Sequence, residues 1–354
     1  LSGGTSIMAI IDKPSDYFET VIYAGGTTDI SSLNFQPDWV WAKKRTGAEN
    51  HGLFDSIRGA TKTLNSNTTA AESTRSGSLT SFDSDGFTMG GSDGIISASG
   101  NNYVAWSWKA GTSFTNDASA TGIGSIDSTG SFNNDSGFSI VSYTGTGSAG
   151  SIKHGMNIAP KMVIVKSRSG TGEWITWHTG INIQAKLSLN TTDAIYNPGS
   201  GIYWNSTLPT SSVFSVGTSG SVSGNGTTYI AYCFADVQGY SKFGSYAPNG
   251  NADGNFIYTG MSPAFVMIKN TNTTRDWVMY DNKRPIPNSA SKVLEANTSD
   301  AESTLDLDID LLSNGFKLRG AAGNINTSDG VNYIYMAFAE NPLVASNFVP
   351  TTAR

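Results

Sequence analysis

One cysteine stands among 354 residues, Cys233. That excludes an internal disulfide framework and any cysteine-based zinc site. Cys233 lies inside a strand-like run, so it reads as a small buried apolar residue. Charge is scarce too: Asp, Glu, Lys and Arg make up 14% of the chain and the net charge is −6. A general nucleic-acid binder needs a basic stripe, and there is none. No run of 18 apolar residues offers a membrane-spanning helix. The opening "LSGGTSIMAI" shows no basic segment followed by an apolar one, so no signal peptide is visible. The three histidines, His51, His154 and His178, are not at metal-ligand spacing, and no H-E-x-x-H occurs. A G-x-S-x-G elbow and a Walker loop are also missing; "GTGSAGS" at 145–151 lacks the lysine and reads as a hairpin turn. Nothing here asks for catalysis, and the expectation is a non-enzyme without a cofactor.

What is present is glycine (40 residues), abundant Ser, Thr, Asn and Asp, and a large stock of aromatics: 14 Tyr, 16 Phe and 8 Trp. The composition favours turns and strands and is poor in helix formers. One build recurs three times. "NNYVAWSWKAG" (101–111), "TTYIAYCFAD" (227–236) and "VNYIYMAFAE" (331–340) align on Tyr103, Tyr229 and Tyr333. "FQPDWVWAKKR", "IAPKMVIVKSR" and "MSPAFVMIKNT" align on Pro37, Pro160 and Pro263, with Lys43, Lys166 and Lys269 six positions on. Seventeen positions after each proline come Phe54-Asp55, Trp177-His178 and Tyr280-Asp281. Asn67-Thr68-Thr69, Asn190-Thr191-Thr192 and Asn297-Thr298-Ser299 follow. Offsets this regular mean internal triplication.

The copies run over 17–112, 137–238 and 239–341, between a lead segment (1–16) and a tail (342–354). The stretch 113–136 is polar and rich in Gly, Ser and Thr, and reads as an extended linker. This predicts a bead followed by a tight pair. "DWVWAK", "KMVIVK" and "AFVMIK" are apolar on both faces and read as central strands. No long segment has a 3.6-residue period. The expected fold class is all-β: three tandem antiparallel β-sandwich domains of similar fold. Within the recurring strand, Trp106 and Trp108 become Tyr232 and Phe234, then Met336 and Phe338. Bulk persists while identity drifts, as in a core. A stacking strip needs a flat exposed ring, which Met336 lacks.

The candidate site residues are few. "AIYNPGSGIYWNSTLPT" (194–210) departs from the repeat, and its Tyr196, Tyr203 and Trp204 could stack on sugar rings. The plainer reading is that Tyr203 and Trp204 fill a core position held elsewhere by Phe82 or Leu311. "LDLDIDLL" (305–312) puts Asp306, Asp308 and Asp310 on one face. An edge strand with an acidic face is the plainer reading, a cation site or a glycosidase pair the sharper ones. The recurring lysines read as strand-end residues whose ammonium groups reach solvent. The Asn-Thr motifs, formally glycosylation acceptors, read as Asx-type turns or caps.

At "KPSDYFETVIYAGG", "LNFQPDWVWAKKR", "LFDSIRGATKTL", "SFDSDGFTMG" and "NNYVAWSWKAG" the chain resembles a repeated β-domain of virion and tail-fibre proteins of marine tailed bacteriophages. "GFSIVSYTGTG", "HGMNIAPKMVIVKSR", "YIAYCFADVQGYSKFGSY", "PAFVMIKNT", "DLLSNGFKLR" and "YIYMAFAENP" extend the resemblance along nearly the whole chain. It implies a phage structural protein on the virion, a tail-fibre or receptor-binding component, and supplies no catalytic residues. The expected partners are other virion proteins and host cell-surface glycan, without nucleic acid or membrane insertion. A homo-oligomer is expected, a trimer by analogy with other phage fibres. The alternatives are a purely architectural head-decoration or fibre-shaft protein and a polysaccharide depolymerase.

Overall fold

The computed structural model describes residues 11–284, 288–327 and 330–345. The fold is nearly all β, with 43% strand and 3% helix, in several antiparallel sheets. In the first copy the strand order is Phe18–Ala24, Asn102–Trp108, Trp39–Lys44, Gly52–Asp55. The second repeats that order with Phe138–Thr144, Thr228–Phe234, Met162–Ser167 and Ile175–His178. The third does so with Ser241–Tyr246, Tyr333–Pro342, Met261–Asn270 and Trp277–Asp281. The central strands are covered on both faces, which is why they read as apolar throughout. The third sheet continues through Ala290–Glu295, Ser303–Leu312, Gly315–Leu318 and Phe256–Tyr258, and these eight strands curl into a near-barrel.

The segment 113–136 is not a linker. It supplies the strands Thr112–Asn116 and Ser128–Asn133, which extend the second sheet beyond Phe138–Thr144. Polar composition concealed a period-2 pattern. Phe114 and Phe132 meet at 6.0 Å, Ile126 is buried, and β-branched threonine suits a strand.

The recurring tyrosine has one job in all three copies. Tyr103, Tyr229 and Tyr333 lie directly opposite Tyr23, Tyr143 and Tyr246 on the neighbouring strand. The paired rings stack at 5.6, 5.2 and 5.1 Å. Tyr103, Tyr229 and Tyr333 donate to the carbonyls of Gly94, Gly220 and Gly323, while their partners donate to Ile96, Val222 and Ile325. Each pair thus fastens one loop over the outer side of its sheet.

The opposite face carries the drifting aromatics, and here the expectation is corrected in one respect. Trp106, Tyr232 and Met336 are buried, but the core they fill lies between the copies, not inside each. Trp39 of the first copy sits 4.5 Å from Trp108 and 4.5 Å from Tyr232 of the second. Phe234 of the second meets Phe338 of the third at 6.0 Å, and Trp108 meets Phe265 of the third at 6.1 Å. Such contacts join all three sheets around one interior, so the first copy is not a separate bead.

Candidate functional site

Strand geometry places a repeated set of polar groups where the copies meet. Lys43, Lys166 and Lys269 do not reach solvent; each is fully buried. Lys43 Nζ donates to Ser299 O at 3.1 Å, Lys166 Nζ to Thr69 O at 3.2 Å and Lys269 Nζ to Thr192 O at 2.9 Å. Each acceptor is the third residue of an Asn-Thr motif belonging to a different copy. The first copy reaches the third, the second the first, and the third the second, which closes a ring. Burial pushes all three ammonium groups down to about 8. The motif's own asparagine acts as a cap: Asn67, Asn190 and Asn297 accept from the backbone N–H of His51, Trp174 and Trp277.

Those three residues occupy one position, eight after the lysine, and repeat the same cyclic order. Trp174 Nε1 donates to Asn65 O at 2.9 Å and Trp277 Nε1 to Ser188 O at 3.0 Å. His51 Nδ1 accepts from Trp41 Nε1 at 2.8 Å, so its proton lies on Nε2 and is donated to Glu295 O at 3.1 Å. Burial and the Lys43 charge hold this imidazole well below its usual range, hence neutral.

Two of the three joints add charge. Arg45 pairs with Glu302 through Nε–Oε2 at 2.8 Å and Nη2–Oε1 at 3.0 Å. Arg168 pairs with Glu72 at 2.9 and 3.1 Å in the same fork. Deeper in, Asp55 binds Arg58 and accepts from Tyr232 of the second copy at 2.7 Å. Asp281 binds Arg284 at 2.6 Å and accepts from Trp106 Nε1 of the first copy at 3.0 Å. At the third joint every equivalent is changed: Thr271 faces Ile195 through a backbone bond of 2.8 Å, and Met336 and His178 take the inner positions. His178 turns instead to Tyr335 O (3.1 Å) while its Nδ1 accepts from Gly180 N–H (2.9 Å).

The loop 194–210 grows from this joint without an Arg–Glu fork. Of its candidates, Trp204 cannot stack on a ligand: it is 2% exposed and donates Nε1–H to Ala185 O at 3.0 Å. A tryptophan flanked by Gly, Pro and Asn still found the interior because its indole donor has a backbone acceptor there. Tyr203 is half-buried and Tyr196 is 52% exposed. Their rings meet edge to face at 6.3 Å, with Lys186 Nζ 6.0 Å from one centroid and 5.9 Å from the other. Lys186 also pairs with Glu173 at 2.5 Å, and Ser188 Oγ donates to the same carboxylate oxygen at 2.8 Å. Burial alone would raise Glu173, but the bonds from Lys186 and Ser188 outweigh it and hold the carboxyl below its usual range. The result is one exposed aromatic face backed by a fixed cation and carboxylate. Lys186 and Glu173 carry no motif in the sequence, and only proximity in the fold marks them.

On the acidic strand, the described carboxylates are already engaged by protein donors. Asp310 pairs with Arg319 at 2.5 Å and Asp308 accepts from Ser289 Oγ at 3.0 Å. The side chain of Asp306 lies outside the described residues. Among the described residues no three His, Cys, Asp or Glu side chains stand together as metal ligands.

The sequence model of one family, described as a domain of unknown function (DUF7483), matches residues 13–342. The chain belongs to the DUF7483 family. The match runs unbroken through all three copies and through 113–136, so the DUF7483 unit includes the whole ring. No curated protein matches the chain.

Proposed function

We propose that this DUF7483 protein is a non-enzymatic structural component of a tailed-phage virion, a tail-fibre or receptor-binding element that contacts host surface glycan. In this reading each copy is an antiparallel sheet module of one fold, and the ring of three is a rigid base for its loops. The observation that carries the reading is the Tyr196 cluster: an exposed ring with Lys186 and Glu173 beside it, on the loop where the repeat is broken. An aromatic face suits the C–H side of a sugar, and the ion pair suits its hydroxyls. Further support comes from the resemblance of its long motifs to virion β-domains. Assembly as a homotrimer would multiply weak contacts through effective concentration.

Tyr196→Ala is expected to lower binding of the purified chain to an array of bacterial surface polysaccharides by roughly tenfold or more, with the unfolding transition unmoved, since most of this ring is already in water. Array binding that survives the substitution removes the Tyr196 reading. No binding of the unaltered chain to any polysaccharide favours the architectural alternative, for which the buried joints speak. A fall in the viscosity of a polysaccharide solution would instead indicate a depolymerase.

A further inference from the structure

A second concave site lies on the strands built by 113–136, a segment with no counterpart in the other two copies. Register places Thr115 opposite Thr129 and Thr129 opposite Ser142 on three adjacent strands. Just beyond them, Asp117, Asp127 and Thr144 are exposed and line the same cleft. The face is therefore a row of hydroxyl groups spaced about 5 Å across the strands, with carboxylates at its edge. With the turn carrying Thr146 and Asn225 it borders a cleft of about 700 Å³ whose lining also includes Ile126 and Tyr143.

The chemistry of this lining is selective. Its lining holds two carboxylates and no Lys, Arg or His of its own; the guanidinium that reaches it, Arg168, donates to Ser142 Oγ at 3.3 Å and is already forked on Glu72. Asp117 Oδ1 accepts from Ala120 N–H and Asp127 Oδ1 from Ala118 N–H, and the other oxygen of each is free to accept. The side chains of Thr115, Thr129, Thr144 and Asn225, all exposed, have no hydrogen-bond partner among the described residues. Free acceptors with negative charge and free hydroxyls, in a cleft of ligand size, match a ligand that is rich in hydroxyl donors and carries no negative charge. A uronate or a phosphorylated sugar would meet two carboxylates, against one guanidinium whose charge Glu72 already offsets.

We propose that this cleft binds a neutral oligosaccharide of two to three hexose units. The proposal deepens the receptor-contact reading and uses a site separate from Tyr196. The test is isothermal titration of the full chain with neutral trisaccharides (maltotriose and mannotriose) and with trigalacturonate. The neutral sugars are expected to bind with Kd of about 1–10 mM, trigalacturonate not at all. The double substitution Thr115→Val, Thr129→Val keeps volume and β-branching on an exposed face, and is expected to weaken binding at least tenfold. Tyr196→Ala is expected to leave this binding unchanged. The proposal is overturned if neither neutral sugar binds, if the valine pair binds as the unaltered chain does, or if trigalacturonate binds equally. Loss of the binding in Tyr196→Ala also overturns it and moves the sugar to the other site. Survival of array binding in Tyr196→Ala removes the Tyr196 reading alone.

Discussion

Asp55→Ala is expected to destabilise the protein by about 3–5 kcal/mol, because it strands a buried guanidinium. The side chains of Asp55 and Arg58 are both fully buried. Arg58 keeps bonds to Leu53 O and Lys62 O, but its nearest remaining carboxylate, Glu72, is 3.5 Å away and shared with Arg168. The same substitution removes the acceptor of the Tyr232 hydroxyl, so one change both leaves a charge uncompensated and loosens the joint between first and second copies. The control is Arg75→Ala, which breaks the Arg75–Asp93 pair on the surface and is expected to cost about 1 kcal/mol or less. Urea denaturation of the two variants separates the cases. Equal midpoints, or a shift for Asp55→Ala no larger than the control's, would contradict the assignment.

Acid is expected to act as strongly. Burial lowers His154 and His178 to about 4 and holds His51 well below its usual range. The unfolded chain, with ordinary imidazoles near 6.5, binds more protons than the folded one between pH 6.5 and 4. Stability is therefore complete above 6.5 and is lost as pH falls through that window. The geometry agrees: His51 and His178 each use one nitrogen as donor and the other as acceptor, and protonation would turn an N–H against an N–H. Each of the two histidines placed near 4 is worth about 2.5 kcal/mol between pH 7 and 4.5. Glu295 works the other way. Burial raises it to about 7, so protonation relieves it on the same descent, by an amount reduced by its partial exposure. Asp38, also raised by burial, acts in Glu295's direction. The net loss expected from pH 7 to 4.5 is about 3 kcal/mol or more, His51 adding to the two histidines counted. It is to be read as a falling urea midpoint, and His178→Gln should flatten the slope. A midpoint constant or rising as pH drops from 6.5 to 4.5 would contradict the neutral, buried histidines.

The triplication was legible because identical offsets need identical strands. So was the burial of Trp106, Tyr232 and Met336, since only packing tolerates that exchange. The ring was not read, although one signal for it lay in the sequence. Arg45 and Arg168 recur two positions after the lysine where the third copy has Thr271; Glu72 and Glu302 recur five after the asparagine where the second has Ile195. Pairing within each copy would leave Arg168 and Glu302 alone. Pairing first with third and second with first leaves no charge unmatched, and that is the arrangement found. The strands in 113–136 were hidden because Ser and Thr serve turns and exposed sheet faces alike. Trp204 stood between core and loop in the sequence, since a loop's composition says nothing about the acceptor waiting for its indole.

Scanning calorimetry of the intact chain tests most directly whether the three copies share one interior. The account predicts a single transition whose calorimetric and van't Hoff enthalpies agree, because no sheet can leave without opening the core around Trp39, Tyr232 and Phe338. Separate transitions, or a calorimetric enthalpy about three times the van't Hoff value, would mean three copies that melt independently.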